Sequence, residues 1–138
     1  MCPEGFVSAY YSVGEFEVLF VEAEFFSACI RNLLDDETYR TLQNDLVRNP
    51  EKGAVMAGCG GLRKVRVEQP KRGKGKRGGC RVIYLHIPEV NRIDLVAIYS
   101  KDKQDDLSTE QRKALKTLAE RARQEALAGK GRLKEHSL

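Results

Sequence analysis

Three β-type runs follow one another between residues 62 and 99, and they restrict this chain more than any other feature. Leu62-Arg63-Lys64-Val65-Arg66-Val67 alternates apolar and charged residues. Arg81-Val82-Ile83-Tyr84-Leu85-His86-Ile87 is rich in β-branched and aromatic side chains, and Ile93–Tyr99 is a third apolar strand. The turn Pro88–Asn91 is too short for a crossover, so antiparallel pairing of the last two is expected. Gln69–Gly79, between the first two, is a long Gly/Lys/Arg loop. Successive strand residues face opposite sides, so Lys64 and Arg66 share one face of the sheet and Val65 and Val67 take the other.

Upstream, Phe16, Val18 and Phe20 alternate within Glu15–Val21, which predicts an earlier strand. Phe25, Phe26, Cys29, Ile30 and Leu33 then recur at helical spacing. Asp35 stands where it caps a second helix carrying Tyr39, Leu42, Leu46 and Val47, which Pro50 closes. The aromatic stripe reads as core, because a short helix must bury one face to be stable. Gly58, Gly60 and Gly61 mark a turn before the first of the three strands. Downstream, Ser108-Thr109-Glu110-Gln111 has the capping-box form and opens a helix with Leu115, Leu118, Ala119, Ala122 and Ala126, which Gly129 and Gly131 are expected to end. With 138 residues the chain has material for one core. The expectation is a single α+β domain over residues 15–127, an irregular leader over 1–14 and a polar tail over 128–138.

A hydrophobic content of 41% excludes wholesale disorder. No apolar run is long enough to span a bilayer and the first residues lack the form of a secretory signal, so a cytoplasmic location without a membrane partner is expected. Cys2, Cys29, Cys59 and Cys80 lie far apart with no histidine nearby. They read as reduced thiols, Cys29 and Cys80 as small core residues, and no cofactor or metal is expected. His86 falls inside an apolar strand and His136 in the charged tail, so neither is assigned chemistry.

The net charge of +4 is unevenly spread. Residues 1–62 hold four Lys/Arg against ten Asp/Glu, whereas residues 63–81 hold nine Lys/Arg against the single acid Glu68. Such a concentration suits a polyanion, whose counterions are released when its phosphates are neutralised. A solvated basic loop is the plainer alternative. Gly73-Lys74-Gly75-Lys76-Arg77-Gly78 formally matches a dinucleotide-binding turn, but a strand follows where that site needs a helix N-terminus.

Lys64 and Arg66 on one strand, Arg81 opening the next, and Lys101 and Lys103 after the third can converge on one cleft. Cleaving RNA through its ribose 2′-hydroxyl needs a proton acceptor, cations for charge gathering on phosphorus, and a donor to the departing 5′-oxygen. Lys64, crowded by Arg66 and Arg81, is a candidate acceptor, and the two arginines are candidate phosphate clamps. Equally, these residues bind RNA phosphates and do no chemistry. The candidate catalytic residues are Lys64, Arg66, Arg81 and Lys101. The candidate RNA contacts are Arg63, Lys71, Arg72, Lys74, Lys76, Arg77, Tyr99 and Lys103.

Gly60-Gly61-Leu62-Arg63-Lys64-Val65-Arg66-Val67, the Gly/Lys-rich loop, and Gly78-Gly79-Cys80-Arg81-Val82-Ile83-Tyr84 together resemble the HigB-type members of the RelE/ParE toxin superfamily. Ala97-Ile98-Tyr99-Ser100-Lys101, Asp106-Leu107-Ser108 and Gln111-Arg112-Lys113 are similar to that family's last strand and C-terminal helix. The resemblance extends over residues 15–127. It implies a RelE-like fold, with an N-terminal strand and two helices packed on a small antiparallel sheet and a C-terminal helix beyond. It also implies a ribosome-dependent mRNA endoribonuclease that enters the ribosomal A site, works without metal, and is restrained by a helix-turn-helix antitoxin, as a monomer or within a toxin–antitoxin heteromer. Lys64, Arg66 and Arg81 match the family's cations on the two central strands, and Lys101 and Lys103 fall near one after the last strand. This chain has Asp102 and Leu107 where some relatives place an arginine and an aromatic, which leaves the general acid open. A ParE-like binder of DNA gyrase and a non-toxic RNA-binding module are the alternatives.

Overall fold

The computed structural model describes residues 6–13, 16–69, 79–104 and 106–136, with side chains described for 17–69, 79–104 and 106–129. Strands β1 (Phe6–Val13) and β2 (Phe16–Ala23) lead into helices α1 (Glu24–Leu33) and α2 (Asp36–Arg48). There follow the short β3 (Ala54–Val55), β4 (Arg63–Val67), β5 (Cys80–Ile87), a 3-10 turn over Pro88–Val90, β6 (Arg92–Ser100) and α3 (Thr109–His136). The six strands form one sheet in the order β1-β2-β6-β5-β4-β3.

The α+β expectation is met, with three corrections. Residues 6–13, read as part of an irregular leader, form a full strand antiparallel to β2, because an edge strand gains its hydrogen bonds from a partner that its own pattern does not disclose. The sheet is mixed, not purely antiparallel: β2 runs parallel to β6, a pairing made possible by the long connection between them through α1, α2 and β3 to β5. Finally, α3 runs through Gly129 and Gly131 to His136. A glycine inside a helix costs only about 1 kcal/mol, so two of them do not by themselves stop one.

The sheet separates two cores. On one face α1 and α2 bury Phe26, Ile30, Leu42 and Leu46 against Phe20, Val65, Val67, Val82, Tyr84 and Leu95. On the other, α3 lays Ala119, Ala122 and Ala126 over Ile83, Leu85, Ala97 and Tyr99. The caps read from the sequence are formed: Asp35 Oδ1 accepts the Thr38 N–H at 2.7 Å, and Ser108 and Gln111 exchange hydrogen bonds of 2.9 and 3.1 Å. Of the aromatic stripe, Phe26 is buried but Phe25 is 63% exposed, so the stripe is narrower than its spacing implied. The glycine turn holds α3 in place. Gly61 adopts φ +93°, and a β-carbon there would fall 2.6 Å from Nη2 of Arg123, whose guanidinium donates to the Gly60 carbonyl at 3.1 Å.

Candidate functional site

Pairing registers decide which cations meet. Arg66 lies opposite Arg81, and Arg81 lies opposite Tyr99, so these three form a row across β4, β5 and β6. Lys64, two residues from Arg66, lies opposite Ile83 on the same side. Directly opposed residues point to one face, so Lys64, Arg66, Arg81 and Tyr99 all project from the α3 side of the sheet. Val65 and Val67 enter the other core, as the alternation required.

Tyr99 joins this row because of a bulge. Strict alternation along β6 would place Tyr99 with Ile93 and Leu95, which pack beneath α1 and α2. The β5–β6 register shifts between Ile83 and Tyr84, leaving Val96 as the extra residue on β6, and from there onward the strand is re-phased. Ala97 and Tyr99 therefore face α3, whereas Ile98 faces α1 and α2.

Arg81 is buried to 6% exposure, and its guanidinium donates to the Cys80 carbonyl at 3.3 Å. Arg66 is exposed at the sheet edge beyond β3, where it also borders a groove of about 470 Å³ shared with Asp35, Thr38 and Asp45. The side chain that meets Lys64 is the carboxylate of Asp106, 3.3 Å away, in the segment between β6 and α3. Asp106 also pairs with Arg112 in the first turns of α3, at 3.1 Å. The Leu107 N–H, with help from Lys64 and Arg112, holds the Asp106 carboxyl below its usual range. Tyr99 is 9% exposed, and its hydroxyl has no hydrogen-bond partner among the described residues. Burial raises its phenol above the ordinary value; Asp106 adds to the rise, and Arg81 and Arg112 oppose it.

Asp106 and Arg112 were not singled out as site residues from the sequence. Their signal was faint: both belong to the segment that opens α3, and only the fold brings that segment over Lys64. Arg63, a candidate RNA contact, is not brought to this face. It lies opposite Tyr84, and its guanidinium donates to the carbonyls of Glu51 and Gly53, so it braces the segment before β3. Lys101 and Lys103 lie in the turn after β6, where the Lys101 N–H donates to the Gly79 carbonyl and holds that turn to the Arg81 end of β5. The candidate contacts Lys71, Arg72, Lys74, Lys76 and Arg77 lie outside the described residues. Gln69, placed in the same loop, is instead buried and donates to the Leu33 carbonyl at the end of α1.

Chemically, the α3 face offers several guanidinium and ammonium donors around one phenol and one carboxylate, an arrangement that can hold phosphate oxygens in fixed geometry. Among the described residues no group of three His, Cys, Asp or Glu side chains is placed to hold a metal ion, and no helix is long and apolar enough to cross a membrane.

A family model described as the RelE toxin of the RelE / RelB toxin-antitoxin system matches residues 29–135, which is well over half of the chain. The match takes in both central strands, the bulged strand and α3, and with them every charged residue of the row just described. The chain belongs to the RelE toxin family.

Proposed function

We propose that this toxin is a ribosome-dependent endoribonuclease of the HigB type that cuts messenger RNA in the ribosomal A site, and that Lys64, Arg66, Arg81 and Lys101 carry the reaction. The observation that supports this reading most is the row Arg66–Arg81–Tyr99 with Lys64 beside it, four polar side chains from three strands on one face. In the reaction the ribose 2′-oxygen bonds to the adjacent phosphorus while the bond from phosphorus to the 5′-oxygen breaks, giving a cyclic phosphate and a 5′-hydroxyl. Lys64 accepts the 2′-proton. Arg66 and Arg81 hold the phosphate oxygens as charge accumulates there, and the Lys101 ammonium donates a proton to the departing 5′-oxygen. Tyr99 is the aromatic RNA contact of the row, able to stack on a base, and the basic loop follows the RNA backbone. A helix-turn-helix antitoxin, the partner such a toxin needs, restrains it when growth is to continue.

The test maps messenger RNA ends on translating ribosomes with wild type, Lys64→Ala, Arg66→Ala and Arg81→Gln. Each variant is expected to lower cleavage by about a hundredfold or more. Arg81→Gln is used because a buried arginine cut back to alanine leaves a void as well as a missing charge. Equal cleavage by wild type and Lys64→Ala rejects the assignment. Unaltered RNA ends together with inhibited gyrase supercoiling replace it with the gyrase-binding reading.

A further inference from the structure

Asp106 is gripped from three directions. Its Oδ1 lies 3.3 Å from Lys64 Nζ and accepts the Leu107 N–H at 2.8 Å, and its Oδ2 accepts from Arg112 Nη2 at 3.1 Å. A carboxylate held this way presents one negative charge shared by two oxygens, which is also what a phosphodiester presents through its two non-bridging oxygens. The bridge is open to solvent, with Lys64, Asp106 and Arg112 side chains 30%, 49% and 36% exposed. Beneath it, the Tyr99 hydroxyl is buried, lies within reach of the charges on Asp106, Arg81 and Arg112, and is left without a hydrogen-bond partner among the described residues. A buried donor without a well-formed bond is costly, and the Asp106 carboxylate, though close enough to act on the phenol, does not complete one. A tetrahedral anion has oxygens to spare for it.

We propose that Asp106 is an internal stand-in for an RNA phosphate: a phosphodiester enters the cradle of Lys64, Arg112 and the Tyr99 hydroxyl by displacing the Asp106 carboxylate. Arg112 is then a phosphate-binding residue, and Asp106 a brake on substrate entry. The identity of the anion as RNA rests on the nuclease reading above; the cradle itself does not. The exchange replaces one negative charge by another, so the site's charge balance is unchanged. Half-exposed ion pairs are weak, which makes displacement cheap. The backbone need not move, because Gln104 Nε2 donates to the Asp106 carbonyl at 2.8 Å and to Gln111 Oε1 at 2.6 Å, anchoring the segment while the carboxylate rotates away.

The test is Asp106→Asn, which keeps the side chain's size and still accepts the Leu107 N–H. Binding is measured by calorimetry or NMR titration with two probes: an RNA trinucleotide whose 2′-hydroxyls are replaced by methoxy groups, which resists cleavage, and inorganic phosphate. Asp106→Asn is expected to bind the RNA probe roughly threefold to tenfold more tightly than wild type. Arg112→Ala in the Asp106→Asn background should cancel that gain, and Arg112→Lys should restore part of it. A parallel gain for inorganic phosphate supports a general phosphate cradle, and a gain for RNA alone supports one fitted to a diester within a chain. Unchanged or weaker RNA binding by Asp106→Asn overturns the proposal, as does a gain that survives Arg112→Ala. Neither probe is cut, so binding decides this point and RNA-end mapping decides the nuclease. Expected binding changes in a protein that never cleaves would keep the cradle and remove the nuclease; cleavage without them would do the reverse.

Discussion

The hydroxyl of Tyr84 ties the segment after α2 to the middle of the sheet. It donates to the Pro50 carbonyl at 2.7 Å and accepts the Gly53 N–H at 2.8 Å, while Arg63 from the neighbouring strand donates to the carbonyls of Glu51 and Gly53. One phenol and one guanidinium thus satisfy four backbone groups that secondary structure does not. Tyr84→Phe keeps the buried ring and strands the Pro50 carbonyl and the Gly53 N–H, so a loss of about 2 kcal/mol is expected in urea denaturation, within the range for unmade buried hydrogen bonds. A loss below about 0.5 kcal/mol would mean that solvent reaches both groups and the tie has no energetic weight. Gly53→Ala probes the same contact from the other side: its added carbon would fall 2.8 Å from Tyr84 Cε1 and 3.0 Å from the Lys64 carbonyl, so one of them must shift. That shift reaches the site, since Ala54 pairs with Lys64. This is the use of Arg63 in the structure, and charge counting along the strand could not separate it from Lys64 and Arg66.

The start of α3 is set by its capping box, in which Ser108 Oγ accepts the Gln111 N–H and the Ser108 N–H donates to Gln111 Oε1. Ser108→Ala removes one of the two and is expected to cost about 1 kcal/mol, lowering the melting temperature by roughly 4 °C. Faster amide exchange in the first turn of α3 should accompany it, and Arg112, one residue past Gln111, should lose its fixed position against Asp106. Unchanged exchange there would show that packing of Ala119 and Ala122, not the cap, fixes where the helix begins. The box was legible because its signal is local: two side chains three residues apart and a run of helix formers behind them. The same is true of Asp35 and of the strands around Lys64 and Arg81. What escaped was non-local. Residues 6–13 carry Tyr10 and Tyr11 in opposite phases, so their pattern favours neither face, and the strand is defined by its pairing with β2. The parallel β2–β6 pair joins residues about seventy positions apart, beyond any periodicity. The bulge at Val96 is likewise invisible in Ile93–Tyr99, whose apolar residues suit either phase, yet it alone turns Tyr99 toward the cations. Three cations of the site were therefore readable as a group, whereas Asp106 and Arg112 entered only when the chain beyond β6 folded back over them.

Charge is divided along the chain. The acid-rich half of the chain supplies β1, β2, α1 and α2, and the nine Lys/Arg of residues 63–81 cluster around β4, β5 and their connection. The Val67–Cys80 pair lies one step beyond Arg66 and Arg81, and the sequence between those two residues carries five cations, Lys71, Arg72, Lys74, Lys76 and Arg77, which lie outside the described residues. If they follow an RNA backbone, each phosphate they neutralise contributes about 0.7 to the slope of log affinity against log salt. Replacing all five by glutamine is then expected to flatten that slope by roughly 3 to 4 when binding of the methoxy RNA probe or of ribosomes is followed between about 50 and 200 mM salt. Lys64→Ala and Arg66→Ala should each change the slope by about 1 or less while lowering cleavage far more, because a residue placed at the reacting phosphate acts on the transition state as well as on binding. The two kinds of variant thus separate cations that collect RNA from cations that act on it. A slope left unaltered by the five glutamines would mean that the loop's charge is merely solvated, and the affinity for RNA would then have to come from the α3 face alone.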